Sequence, residues 1–305
     1  MKKLKILVIG GGGYIGSILI LELIKKEFQI KCFDRFSSLK ILSKLKLNKN
    51  IEIIIGDIRN IESKVFSDID TVVDLAALTK KLDVKEFEVI QTNKNARKKI
   101  IGMSKQSGVS HFIRISSSNV YSGNMKENNE EEIPNPKTLY AKINLELDKY
   151  AISLNDEKFR VTVLRLASIF GVSPRMRWDQ SINNMVKELH MNGKIEVKSK
   201  SSKRPFLHIK DAVKAIILVI QSKNKNVGEI FNVGSNDLNY SMDEIAKKII
   251  NITKKENSLI IHDKKDENSF TMNCDKINKK LGFEKKYDLK FGINEILKKL
   301  NQEKN

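Results

Sequence analysis

The residues best suited to chemistry lie near the start of the chain. Gly10, Gly13 and Gly16 form a G-x-x-G-x-x-G pattern within Gly10-Gly11-Gly12-Gly13-Tyr14-Ile15-Gly16. Glycines at this spacing let a chain turn tightly, bring backbone N–H groups close to a pyrophosphate, and pack the following helix against the preceding strand. Asp34 follows 18 residues after Gly16, at the end of the next apolar run. A carboxylate there accepts hydrogen bonds from adenosine ribose hydroxyls and repels a 2′-phosphate, which favours NAD over NADP. Arg35 beside it tempers that preference.

Such a turn binds phosphate only if a strand leads into it and a helix leads out. Leu4 to Ile9 is a nearly continuous apolar run, as expected of a strand buried on both faces of a parallel sheet. Ile15, Ile18, Leu19 and Leu23 then recur at helical spacing, closed by Lys25-Lys26. Further strands are expected at Gln29–Phe33, Ile51–Ile55, Thr71–Leu75, His111–Ser116 and Val161–Leu166, with helices around Val84–Ser107 and Tyr140–Leu154. The alternation predicts an α/β fold, a Rossmann-type doubly wound parallel sheet with a smaller C-terminal substrate-binding lobe. Helices near Ser181–Met191, Asp211–Gln221 and Phe291–Leu300 and strands at Glu229–Val233 and Leu259–His262 fill the second half. The expected division gives 1–170 plus 205–235 to the NAD-binding domain, and 171–204 plus 236–305 to the lobe.

Bulk properties narrow the function. The chain has 305 residues, 40% hydrophobic and 30% charged, with a formal net charge of +19. The lysines are scattered from Lys2 to Lys304 and form no arginine-rich stripe with interleaved aromatics, so no nucleic-acid partner is expected. The positive field still favours phosphate-bearing ligands. Cys32 and Cys274 are far apart, and His111, His190, His208 and His262 are dispersed, so no metal site is expected. Reduced thiols suit the cytoplasm. Four glycines break the apolar run after Met1-Lys2-Lys3, and Glu22 interrupts the next, which argues against a signal peptide or membrane span.

With these motifs in place, the sequence resembles the extended short-chain dehydrogenase/reductase family, the NAD-dependent nucleotide-sugar epimerases and dehydratases. Val8 to Ser17 looks like the family's opening fingerprint, with Gly10, Gly13, Tyr14, Ile15 and Gly16 toward the cofactor. Gly56-Asp57-Ile58-Arg59 matches the segment that contacts adenine, and Leu75-Ala76-Ala77 the fourth-strand motif beside the cofactor. Thr92-Asn93 matches the helix asparagine that supports the active-site region. Ser116 to Tyr121, Leu164-Arg165-Leu166 with Phe170-Gly171, Arg204 to Asp211, and Phe231-Asn232-Val233-Gly234 follow in family order. His208 reads as a structural hydrogen bonder.

The resemblance implies a chemistry. Tyr140, at a helix start after Pro134-Asn135-Pro136, would take or give a hydroxyl proton while hydride moves to or from nicotinamide. Ser117 would hydrogen-bond the same substrate oxygen. A tyrosine titrates near pH ~10, so acting as a base requires positive charge nearby. The family supplies it with a lysine four residues on; here that residue is Asn144, which could bond the nicotinamide ribose but brings no charge. Lys142 is on a different helix face. Dehydratases of the family place an acid pair after the serine or threonine; here Ser118 and Asn119 stand there, which argues against 4,6-dehydration.

On the substrate side the resemblance points to Arg204, with its forked donors, for a nucleotide diphosphate. Asn184 falls near the same phosphates, Ser168 replaces a frequent asparagine, and Asn119 would be a further substrate contact. Asn268 stands where a second arginine is common, so the clamp would be either weakened or rebuilt with Arg175, Arg177 or Lys265. Three functions stay open: an epimerase using NAD on a nucleotide-sugar, a weakly catalytic or noncatalytic binding member because of Asn144, and an NAD(P)-dependent keto-sugar reductase. The resemblance also implies a homodimer through two helices of each subunit.

Overall fold

The computed structural model describes residues 4–46, 48–78, 84–222, 228–254, 258–262 and 268–304. In chain order the first elements are β1 (Lys5–Ile9), α1 (Tyr14–Lys25), β2 (Gln29–Asp34), α2 (Leu39–Lys46), β3 (Ile51–Ile55), β4 (Thr71–Asp74), α3 (Glu86–Val89), α4 (Arg97–Gln106), β5 (His111–Ser117), β6 (Glu127–Asn128), α5 (Leu139–Ser153) and β7 (Arg160–Leu166). They are followed by β8 (Ser168–Phe170), α6 (Ser181–Asn192), β9 (Lys194–Val197), β10 (Lys203–His208), α7 (Ile209–Gln221), β11 (Glu229–Val233), β12 (Asn239–Ser241), α8 (Met242–Thr253), β13 (Ser258–Ile261), β14 (Thr271–Met272), α9 (Asp275–Leu281) and α10 (Leu289–Lys304). A π-helical stretch, Ile90–Ala96, joins α3 to α4.

The chain divides into two compact units. The first holds 1–116, 138–164 and 216–231. Its seven-stranded sheet has the order β11-β7-β5-β4-β1-β2-β3. The ladders β1–β2, β1–β4, β2–β3 and β4–β5 are all parallel. Ile6, Leu7, Val8 and Ile9 are completely buried, as a strand with helices on both faces requires. α1 buries Leu19, Ile20 and Leu23, while its exposed Lys25 pairs with Glu22. α5 buries Ile143, Leu147 and Ala151 in the same core as Phe112, Val161 and Val163.

The second unit holds 117–137, 165–215 and 232–305. Strands β12, β10 and β8 form their own sheet, with β10 antiparallel to β12 and parallel to β8. Two-stranded parallel ladders pair β13 with β9 and β14 with β6. Phe170, Val186, Phe206, Ile245, Ile249, Ile293 and Ile296 build its core. α8 starts with a capping box between Ser241 and Glu244.

These boundaries differ from the expected ones. The sequence pattern sends 205–235 back to the main sheet, but only β11 joins it, because β10 spends its hydrogen bonds on β8 and β12. Residues 117–137 likewise belong with the second unit, where Thr271 and Met272 pair with Glu127 and Asn128.

Candidate active site

Within the first unit the strand order reverses between β1 and β4, so loops at their C-terminal ends leave in opposite directions and open a crevice for a ligand. The glycine turn follows β1 and Leu75-Ala76-Ala77 follows β4. Gly10 has φ +87°, and a Cβ there would lie 2.8 Å from the Ala76 backbone nitrogen. A Cβ on Gly16 would lie 2.3 Å from the Gly10 carbonyl oxygen. The two loops therefore approach to a distance only glycine permits. Gly13 caps α1 with no side-chain hydrogen bond, and the first turn carries no acidic residue. That leaves the positive end of the helix dipole, with Tyr14, Ile15 and Gly16, suited to an anion.

Asp34 is fixed at the edge of this turn. Its carboxylate accepts from the Gly12 N–H at 3.1 Å and the Phe36 N–H at 2.6 Å. A carboxylate has about four acceptor positions, so capacity remains for ribose hydroxyls. Phe36 is buried with φ +49°, a conformation that sequence reasoning did not anticipate. Asp57 caps the turn that starts at Ile58, accepting from the Arg59 N–H at 2.9 Å, and takes a forked contact from the Arg59 side chain. Those hydrogen bonds from Arg59 hold the Asp57 carboxyl below its usual range. Arg35 sits 3.7 Å from Asp57, so its charge is directed to that carboxylate. The residues present thus fit a dinucleotide: a cradle that side chains would fill, an uncapped helix start and a fixed carboxylate.

Asn93 is buried in the π-helical stretch and clips the loop after β4, accepting from the Leu78 N–H at 2.7 Å and donating to the Leu78 carbonyl at 2.8 Å. Thr138 caps α5 by accepting from the Ala141 N–H, which puts half-buried Tyr140 in the first turn. Asn144, one turn on, is buried with both polar ends engaged. Its Oδ1 accepts from Arg114 at 2.8 Å, and its Nδ2 donates to the Tyr140 carbonyl at 2.9 Å.

Sequence reasoning missed Arg114 and its surroundings. Arg114 on β5 is fully buried and donates from Nε to Asp148 at 2.9 Å. Ser116 donates to the other Asp148 oxygen at 2.9 Å. Arg97 donates to buried Asp74 at 2.8 Å and to the Ile115 carbonyl. Burial, with Arg97 nearby, pulls Arg114 down to about 10, so it keeps its charge at neutral pH. A signal existed: an arginine inside the apolar run His111-Phe112-Ile113-Arg114-Ile115 must find a partner if that strand is central.

In the second unit Ser117 Oγ accepts from the Asn119 N–H at 3.2 Å, and Ser118 is buried. Ser168 and Arg204 lie on paired strands, Ser168 in register with Phe206 two residues beyond Arg204. The Arg204 guanidinium lies over the Phe270 ring at 5.7 Å. On α6 Asn184 is exposed, while neighbouring Asn183 is buried, accepting from the Gly171 N–H and donating to the Arg177 carbonyl. Arg177 pairs with Asp179. Lys265 lies outside the described residues. His208 is buried against Glu295, Phe170 and Tyr287, the packing of a structural histidine. Tyr121 donates to Asn232 and accepts from Arg165, and half-buried Glu130 takes the Asn232 N–H. Burial raises both Tyr121 and Glu130. Among the described residues, no group of three or more His, Cys, Asp or Glu could hold a metal ion, and no helix is long and apolar enough to cross a membrane.

Comparison with known proteins identifies the family. Residues 6–234 match the model of the NAD dependent epimerase/dehydratase family. The chain is 28% identical over 269 residues to dTDP-D-glucose 4,6-dehydratase of Mus musculus, covering 83% of this chain and 74% of the relative. It is 29% identical over 280 residues to UDP-N-acetyl-alpha-D-glucosaminuronate decarboxylase of Bacillus cytotoxicus, covering 86% and 84%. The structure of UDP-glucuronic acid 4-epimerase from Bacillus cereus, in complex with UDP-glucuronic acid and NAD, superposes with a TM-score of 0.87 at 24% identity, covering 98% and 99%.

Proposed function

Because the chain belongs to the NAD dependent epimerase/dehydratase family, we propose that it is an NAD-dependent nucleotide-sugar epimerase with Tyr140 as its acid–base group. NAD is the cofactor of this family, and the glycine turn with Asp34 is the place in this chain for it. The chemistry NAD supplies when bound is reversible acceptance of hydride from a sugar carbon. Tyr140 takes the hydroxyl proton and returns it, and Ser117 hydrogen-bonds the same oxygen. Arg204 holds the diphosphate by charge and forked donors.

The observation that favours epimerisation over dehydration is the pair after Ser117. Elimination of water needs a proton donor for the leaving hydroxyl. Ser118 is buried and Asn119 is an amide, and neither is an acid near neutral pH. Epimerisation needs no such group, because proton and hydride return to the atoms they left.

The test uses purified protein with no added cofactor, incubated with UDP- and dTDP-hexoses. The expected result is NAD released on denaturation and an epimer of one substrate. A 4-keto-6-deoxy product would overturn the reaction assignment. Consumption of added NADH or NADPH with a keto-sugar would make the protein a reductase. Bound NAD with no turnover on the panel would make it a binding member, the outcome Asn144 keeps open.

A further inference from the structure

The lysine missing from α5 leaves an arginine in its neighbourhood, on a different element. Tyr140, Asn144 and Asp148 follow one another at single helical turns, so they share one stripe of α5. Arg114 on β5 grips that stripe. Its Nη2 donates to the Asn144 carbonyl at 3.1 Å and to Asn144 Oδ1 at 2.8 Å, and its Nε reaches Asp148 at 2.9 Å. Asn144 passes the contact on, since its Nδ2 donates to the Tyr140 carbonyl at 2.9 Å. One guanidinium therefore bridges the interior strand β5 to the turn that carries Tyr140.

We propose that Arg114 is a positioning residue for the acid–base centre, acting through Asn144 to fix the Tyr140 turn of α5 where the family's lysine is absent. The proposal rests on the reading of Tyr140 given above. Its geometry also explains why Asn144 is an amide. A side chain there must accept from Arg114 and donate to the Tyr140 carbonyl at once, and an amide does both. A lysine has donors only, and its ammonium would be buried against the guanidinium.

Arg114 is costly as a filler of space. It is fully buried, and its Nη1 has no hydrogen-bond partner among the described residues; the Asp74 carboxylate lies 4.0 Å from it. An apolar side chain of similar volume packs a core without that desolvation. What an apolar residue cannot do is bind Asn144 and Asp148 in one fixed geometry.

A sign reversal between single and double variants is expected. Asn144→Lys alone places like charges together and lowers kcat. Arg114→Met alone frees Asn144 and lowers kcat about tenfold or more, with KM for the nucleotide-sugar unchanged. Combining the two lets the introduced lysine pair with Asp148 one turn on, and the double variant recovers kcat above either single variant. Hydrogen exchange supplies a readout independent of turnover. Amides of residues 140–145 should exchange about tenfold faster in Arg114→Met, with those of α8 unchanged. If Arg114→Met does not fold, Arg114→Lys keeps the charge but loses the fork, and the same local acceleration is expected.

Unchanged exchange in residues 140–145 overturns the proposal, as does an Asn144→Lys single variant at least as active as the parent. Turnover retained by Tyr140→Phe would instead overturn the function assigned above. The exchange readout still decides the role of Arg114 in that case.

Discussion

The close approach of the β1 and β4 loops can be weighed with three alanine substitutions that separate conformation from crowding. Gly108, after α4, has φ +78°, and a Cβ added there would have nothing within 4 Å, so Gly108→Ala carries the backbone cost alone. Placing an alanine in the left-handed region costs about 1–2 kcal/mol. Gly16 carries the complementary cost: its φ is ordinary, but a Cβ would meet the Gly10 carbonyl oxygen at 2.3 Å and the Gly11 Cα at 2.7 Å. Backbone cannot swing aside as a side-chain tip does, so the overpacking cost is about 1–3 kcal/mol. Gly10 has both problems, with φ +87° and a Cβ 2.8 Å from the Ala76 nitrogen, so Gly10→Ala should cost about 2–5 kcal/mol, the two costs together. The assay is urea unfolding with a shared slope, alongside NAD extracted from each purified variant. Gly108→Ala should keep its NAD, and the other two should lose it. If Gly10→Ala is no more destabilising than Gly108→Ala, or retains full NAD, the approach to Ala76 does not constrain the turn, and close packing of the two loops is not what shapes the cradle.

Three further outcomes follow from the same structure. Asp34→Asn should weaken NAD binding about tenfold, since hydrogen bonds to a charged group contribute about 1.5 kcal/mol or more. It should also narrow the preference over NADP in calorimetric titration; an unchanged preference would show that Asp34 does not read the ribose. Glu295 contributes to the acid limb of stability. Burial alone would raise it, but hydrogen bonds from His208, Lys210 and the Val172 N–H hold its carboxyl at about 2, below the ordinary 4.5. A depressed carboxyl contributes stability above its unfolded value and loses it as pH falls from about 4.5 toward 2. Glu295→Gln should flatten unfolding midpoints over that window, and a parallel profile for both proteins would refute this. Cys32 and Cys274 are buried and their thiols are pushed well up by desolvation, Cys32 also by Asp34 and Cys274 by Glu130. Neither should react with iodoacetamide in the folded protein at pH 8, and stoichiometric labelling of either would contradict the burial.

The parts of this protein legible in its sequence are those that local pattern specifies. A short apolar run that ends in glycines and is followed by a helical pattern reads as a buried strand and its turn, so β1, α1 and Asp34 fall where that pattern puts them. The β10 segment is harder. Lys203 to His208 reads as a strand, but period and composition do not say which sheet it joins. Pairing with Ser168–Phe170 and Asn239–Ser241 decides that. The positive φ of Phe36 is equally hidden, because it follows from the Asp34 carboxylate capturing the Phe36 N–H.

Asn144 shows where reading along the chain reaches its end. Against the family pattern it is a lost charge, and that loss alone suggests a slower or inactive protein. In the folded chain its amide oxygen is held by Arg114, which lies 30 residues earlier on another element. A lysine at position 144 beside the arginine at position 114 would bury two cations together, so the presence of one argues for the absence of the other. The departure and the buried arginine are then a single feature. Testing either residue alone would misjudge it, since restoring the lysine without removing the arginine should make the protein worse.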